Sequence, residues 1–191
     1  MIGVRCLARA AVVAVAAVLL VAPRPAGADI VNGTFDHPSD PLFGWTQDGP
    51  GIEVVDGAAH LGITQSMARI SQTVVLGEGE TTLQFDAKGS RTYCIYWDTG
   101  ISVSWWGGGG AGSIEPDGDW RHYDLPLVDE HGNPLPAGTS IEIDAEAFCR
   151  LIGPEGGGAR ADLYLDNVTV PEPATLSLLA LGGLVALRRR R

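Results

Sequence analysis

Between Asp29 and Val170 the apolar residues recur at every second position, and no stretch carries the three-to-four spacing of a helical stripe. Ile70, Gln72, Val74 and Leu76 alternate with Ser71, Thr73 and Val75. Leu83, Phe85 and Ala87 alternate with Gln84, Asp86 and Lys88, and Ile101, Val103 and Trp105 with Ser102, Ser104 and Trp106. Ile141, Ile143 and Ala145 alternate with Glu142, Asp144 and Glu146. Side chains of a strand point to opposite faces in turn, so each run has one apolar face that must be covered. Asp56-Gly57, Gly77-Glu78-Gly79, Asp117-Gly118-Asp119 and His131-Gly132-Asn133-Pro134 punctuate the runs with turn chemistry. Short strands at this spacing predict an all-β domain, a sandwich or jelly roll. The 26 Gly and 12 Pro suit such a chain of strands and tight turns.

Charge narrows the function classes. The 191 residues carry a formal charge of −10, but seven of the 13 basic residues lie at the two ends. Residues 29–170 keep only Arg69, Lys88, Arg91, Arg121, Arg150 and Arg160, against 22 acidic residues, for a charge near −16. Such a body repels phosphate backbones, which argues against nucleic-acid binding. Five Trp and the alternating Val, Ile and Leu argue equally against intrinsic disorder.

The ends read as addresses. Met1–Ala28 has Arg5 and Arg9, the uncharged run Ala10–Ala22, and then Ala26-Gly27-Ala28, the small-x-small pattern of a signal-peptide cleavage site. Thirteen residues span about 20 Å as a helix, short of the roughly 30 Å hydrocarbon core, which favours cleavage over permanent anchoring. The expected mature chain begins at Asp29. At the other end Val170 precedes Pro171-Glu172-Pro173, the apolar run Ala174–Leu187, and Arg188, Arg189, Arg190 and Arg191. The run is short for a transmembrane helix, but terminal arginines snorkel to the headgroups and hold that end in the cytoplasm. The order Pro-Glu-Pro, apolar run, Arg cluster closely resembles the PEP-CTERM sorting signal. The resemblance implies that Pro171, Glu172 and Pro173 are read by a membrane enzyme called exosortase. It also implies transient membrane anchoring, processing, and delivery to the surface or extracellular matrix of a polysaccharide-producing Gram-negative bacterium. Three segments result: a signal peptide 1–28, a β-sandwich 29–170, and a sorting signal with a short hydrophobic anchor helix 171–191.

The sandwich carries a further resemblance. It opens with Asn32-Gly33-Thr34-Phe35-Asp36 and Gly44-Trp45, continues through Ile70-Ser71-Gln72-Thr73-Val74 and Leu83-Gln84-Phe85-Asp86-Ala87-Lys88, and includes Asp119-Trp120-Arg121-His122-Tyr123. It closes on Leu163-Tyr164-Leu165-Asp166-Asn167-Val168. This series is similar to the galactose-binding-like jelly rolls that include several carbohydrate-binding module families. The resemblance implies a jelly-roll β-sandwich and carbohydrate as a ligand class. It also implies a structural Ca²⁺ held between the opening segment and the last strand, here Asp36 and Asp166. Two carboxylates supply only part of the ~6–8 oxygens such an ion takes, so backbone donors would have to complete the cage.

Cys6 leaves with the signal peptide, so Cys94 and Cys149 remain as an even pair. An oxidising compartment favours a disulfide between them over two buried thiols. Strict alternation would put Cys94 on the face opposite Tyr93, Ile95 and Trp97; if both sulfurs point inward, Trp97 turns outward, unless a bulge or strand end intervenes. For a sugar platform the candidates are Trp97, in its outward-turned position, and first of all Trp106, which shares a strand face with Ser102 and Ser104, away from Ile101 and Val103. An exposed ring stacks on the apolar face of a pyranose. The competing reading has Trp97, Trp105, Trp106 and Trp120 filling the interior or edge loops.

Catalytic signatures are absent from the sequence: no Gly-x-Ser-x-Gly and no His-Glu-x-x-His. His37, His60, His122 and His131 show no metal-ligand spacing and fall near expected turns or strand edges. Gly107, Gly109 and Gly112 fit a Gly-x-Gly-x-x-Gly string without the strand–helix context that gives it meaning. Asp117/Asp119 and Glu142/Asp144 are carboxylate pairs of the kind glycoside hydrolysis uses, though among 22 acidic residues a solvated face explains them. The expected protein is thus an exported, non-enzymatic surface or matrix protein that binds carbohydrate. The alternatives are a jelly-roll polysaccharide hydrolase or lyase, marked by two carboxylates in one aromatic-lined cleft, and a structural matrix component without a ligand.

Overall fold

The computed structural model describes residues 29–171 except positions 65, 93, 95, 106–108, 117 and 151–158. The expected signal peptide, Glu172, Pro173, the anchor run and the terminal arginines lie outside the described residues, as does Trp106.

Among the described residues ten strands form: β1 (Thr46–Asp48), β2 (Ile52–Val55), β3 (Ala58–Ile63), β4 (Met67–Val75), β5 (Thr82–Thr92), β6 (Tyr96–Trp105), β7 (Gly109–Ile114), β8 (Gly118–Pro126), β9 (Ser140–Arg150) and β10 (Arg160–Thr169). They make two five-stranded sheets, β1-β4-β9-β6-β7 and β2-β3-β10-β5-β8, antiparallel throughout. Neighbours in a sheet are mostly far apart in sequence, the crossed connectivity of a jelly roll. These residues belong to the compact unit Gly27–Pro171. No helix long and apolar enough to cross a membrane occurs among the described residues.

The alternation read from the sequence becomes the core. Ile70, Leu83, Phe85, Ala87, Ile101, Ile141, Ile143 and Ala145 are all fully buried between the sheets, joined by Leu61, Leu163 and Leu165. Gln72 keeps its inward position because its amide is spent on backbone: it donates to the carbonyls of Val31 and Gly44 and accepts from the Val31 N–H. Trp45 is buried beside Phe35, ring centroids 5.4 Å apart. The Asp56-Gly57 turn joins β2 to β3 with both residues at positive φ, the primed hairpin geometry that glycine allows at little cost.

A disulfide joins Cys94 and Cys149, with their Cα atoms 5.6 Å apart. Cys94 stands between the last residue of β5 and the first of β6, outside either strand. Strand alternation therefore does not govern it, and the conflict of faces raised by the sequence dissolves at a strand end. Trp97 lies within β6, opposite Cys149 in the register.

Candidate functional site

The outer face of the β2-β3-β10-β5-β8 sheet carries a band of side chains that runs straight across the strands. Register sets Glu53 opposite His60, His60 opposite Tyr164, and Tyr164 opposite Lys88. His60 and Tyr164 stand between the buried pairs Ala59/Leu61 and Leu163/Leu165, Lys88 follows the buried Ala87, and Glu53 stands between Ile52 and Val54, which pack against the core, so the period that fills the core also builds this band. Trp120 extends it onto the edge strand β8, where it is 44% exposed.

The band is fixed by direct contacts. His60 is buried, its Nδ1 3.1 Å from Glu53 Oε1 and its Nε2 2.8 Å from Asp162 Oδ1. Arg160 donates from Nε to Asp162 at 2.8 Å. Gly62 leaves room for this cluster, since a Cβ there would stand 2.7 Å from the His60 ring and 3.0 Å from Asp162. The His60 ring stacks on Tyr164 with centroids 4.2 Å apart. Lys88 Nζ lies 4.1 Å from the Tyr164 centroid and 5.2 Å from that of Trp120. Tyr164 and Trp120 meet edge to face at 6.3 Å.

Beside the indole a cleft of about 220 Å³ is lined by Asp86, Trp120, Arg121, His122 and Asp166. Asp86 and Asp166 are direct cross-strand partners of β5 and β10. The register of that pair shifts just beyond Asp166, where Asn167 takes a left-handed φ of 53°. The shift lets the Asn167 side chain donate to Asp86 at 2.8 Å, while His122 Nδ1 stands 2.7 Å from the same carboxylate. The two acids are thereby tuned apart. Burial pushes Asp86 upward, but the hydrogen bonds from Asn167 and His122 outweigh it and hold the carboxyl below its usual range. Asp166 is raised by burial, with Asp86 and Asp36 adding repulsion that the Asn167 backbone N–H only partly offsets. Asp162 is likewise held low: burial opposes, while Arg160 and His60 prevail.

The sequence-derived candidates fall in different places. Asp36 is exposed in the opening segment, and its charge reaches Asp166. Among the described residues no group of three or more His, Cys, Asp or Glu is placed to hold a metal ion. Glu142 and Asp144 lie on the other sheet, both paired with Arg69. Trp105 packs partly buried against the core. His60 corrects the expectation that the histidines lie at turns or edges, because it sits inside β3 with 4% exposure. The sequence reading passed over Trp120, Tyr164, Lys88, Asp86 and His122 as a group. The available signal was their shared phase: Asp86 and Lys88 on one strand, and Trp120 and His122 on another, all point away from the apolar positions.

Comparison with known proteins gives the class of fold first. The chain is similar to TmCBM61, solved in complex with β-1,4-galactotriose, at 18% identity and a TM-score of 0.52, covering 75% of this chain and 97% of that one. Weaker likenesses include the N-terminal cellulose-binding domain of Cellulomonas fimi β-1,4-glucanase C (16% identity, TM-score 0.45, 76% and 99% of the two chains). Another is the carbohydrate-binding module CBM28, specific for non-crystalline cellulose (14%, 0.41, 78% and 97%). The fold is that of the jelly-roll carbohydrate-binding modules. Residues 169–191 match the PEP-CTERM protein-sorting motif, which marks the chain for export and membrane-associated sorting to the cell surface. No curated protein matches the chain.

Proposed function

We propose that this protein is a non-enzymatic carbohydrate-binding domain displayed on the surface or in the extracellular matrix of a Gram-negative bacterium. Its export signal would be processed by an exosortase, and its ligand would be an exopolysaccharide. The observation that carries the reading is the exposed indole of Trp120 beside a cleft lined by hydrogen-bonding side chains. A pyranose stacked on an indole hides two apolar faces from water, while its hydroxyls reach Asp86, Asp166 and His122. The contact is worth about 1–2 kcal/mol by area. Affinity electrophoresis in gels of β-1,4-galactan, xylan and mixed-linkage glucan tests this. The parent is retarded in at least one gel, and Trp120→Ala weakens binding about fivefold to thirtyfold with an unchanged melt. A parent that runs unretarded across the panel defeats the reading and leaves a structural matrix protein. Trp106 and Trp97, the candidates drawn from the sequence, enter the same experiment as alanine variants.

One observation favours a second reading, a polysaccharide hydrolase or lyase. Asp86 and Asp166 share an aromatic-lined cleft, and their environments move their acidities in opposite directions, the division of labour glycoside hydrolysis requires. Release of reducing ends, or of unsaturated products absorbing in the ultraviolet, would establish it if lost in Asp86→Asn. Calcium at Asp36 and Asp166 is a separate proposal, a structural ion completed by backbone oxygens; with it bound, Asp86 and His122 are the cleft's partners for the sugar hydroxyls.

A further inference from the structure

We propose that Lys88 is the positioning residue of the sugar site: its ammonium, clamped between Tyr164 and Trp120, holds the indole so that one face is presented to an uncharged pyranose. The inference rests on the carbohydrate reading and names what holds that site and which class of sugar it takes.

Lys88 is the only lysine in the chain. Its surroundings are aromatic: Nζ stands 4.1 Å from the Tyr164 centroid and 5.2 Å from that of Trp120. Among the described residues no carboxylate forms an ion pair with it, so the two π-faces are its partners. The clamp has a firm base. Tyr164 is stacked by His60, and His60 lies between Glu53 and Asp162, so the ring cannot swing away from the ammonium.

Trp120 has a looser seat, an edge-to-face contact with Tyr164 at 6.3 Å. It stands on an edge strand, next to a register shift between Ala87 and Gly89 in the β5–β8 pair, and nearly half its surface is exposed. An exposed indole without a clamp samples several rotamers, and fixing one of them on binding costs affinity. Lys88 supplies that fixing beforehand. The cleft meets the indole from the Asp86–His122–Asp166 side, and Lys88 is not among the residues that line it.

The charges around the cleft set the sugar class. Asp86 and Asp166 line it together with Arg121 and His122, and Asp124 stands beside His122 on the same face, so carboxylates outnumber the one guanidinium. At physiological salt, charges beyond about 8 Å are largely screened, so these nearby carboxylates decide. A uronate or sulfated sugar meets like charge there, whereas neutral hydroxyls donate to the carboxylate oxygens.

A single lysine makes the test direct. Reductive ¹³C-methylation of the full exported chain labels Lys88 and the N-terminal amine, and the signal missing from Lys88→Gln is that of Lys88. The Lys88 signal is expected upfield of free lysine through the two ring currents, and it moves on addition of β-1,4-galactan or whichever neutral glycan retards the parent. Lys88→Gln is expected to lose about tenfold in affinity and to change the near-ultraviolet tryptophan dichroism without lowering the melt. Lys88→Arg, which keeps the cation over the rings, restores both. Three results overturn the proposal: a Lys88 signal at the free-lysine position, Lys88→Gln binding as tightly as the parent or tighter, or polygalacturonate bound in preference to neutral glycans. A ring-shifted Lys88 in a parent that binds no glycan leaves the clamp intact but defeats the carbohydrate reading and the sugar class with it, so the two failures are told apart.

Discussion

Reducing the Cys94–Cys149 bridge should cost the domain a large part of its stability. The bridge spans a sequence separation of 55 and ties the entry of β6 to the end of β9. Those two strands are neighbours, paired from Tyr96 opposite Arg150 to Trp105 opposite Ile141, so the native geometry persists without the covalent link. What changes is the unfolded chain, which regains the freedom of a loop containing β7 and β8. The chain-entropy relation puts this at about 4 kcal/mol for a loop of that length. For a domain of roughly 140 residues, each kcal/mol moves the midpoint by about 3–4 °C, so the expected fall is about 10–15 °C. Cys149 is fully buried, so reduction has to be done on the unfolded protein, followed by refolding in reductant. Scanning calorimetry of both forms, with thiols titrated before and after, reads the difference. A verified reduced form that melts within about 3 °C of the oxidised one would refute the entropic account. Two thiols titrating in the denatured, never-reduced exported protein would refute the bridge.

Other consequences can be checked on the same material. Asp166 is raised in the folded state, so its ionised form works against folding, and stability is lost as pH rises through its folded value. Asp166→Asn should therefore raise the midpoint at pH 7 in chelator, whereas with calcium bound at Asp36 and Asp166 the same change should lower it; chelator-insensitive melts of the parent would dispose of the ion. Asp86 and Asp162 are held low, so their contribution is present above the ordinary carboxylate range and lost as pH falls through their folded values, which urea midpoints between pH 6 and pH 2 should record. Gly62→Ala should cost about 1–3 kcal/mol, because a Cβ there displaces His60 from Asp162; a neutral result would mean the cluster yields freely. Replacing Pro171, Glu172 and Pro173 by Ala should leave the protein membrane-retained with an N-terminus at Asp29, as fractionation and N-terminal sequencing would show. Normal sorting of the triple variant would break the assignment of those three residues.

The sequence by itself determined the fold class and the address. Period-two alternation needs only neighbouring residues, so Leu83-Phe85-Ala87 and Ile141-Ile143-Ala145 declare a buried face whatever they pack against. Asp56-Gly57 specifies its hairpin locally for the same reason. The sorting motif is a linear string, legible without folding. The proposed binding face was a different matter. Alternation tells which side of its own strand a residue occupies, but not which strands lie beside it. Asp86 meets Asp166 across 80 positions of sequence, and Lys88 reaches Tyr164 and Trp120 only because β10 and β8 flank β5. Trp106 and Trp97, the sugar-platform candidates of the sequence, rest on the pattern of a single strand, and Trp106 lies outside the described residues. Cys94 shows the same limit, since its face depends on where β6 begins. Tertiary structure decided these points because strand neighbours are chosen by the burial of whole faces, a sum over distant segments that no local pattern contains.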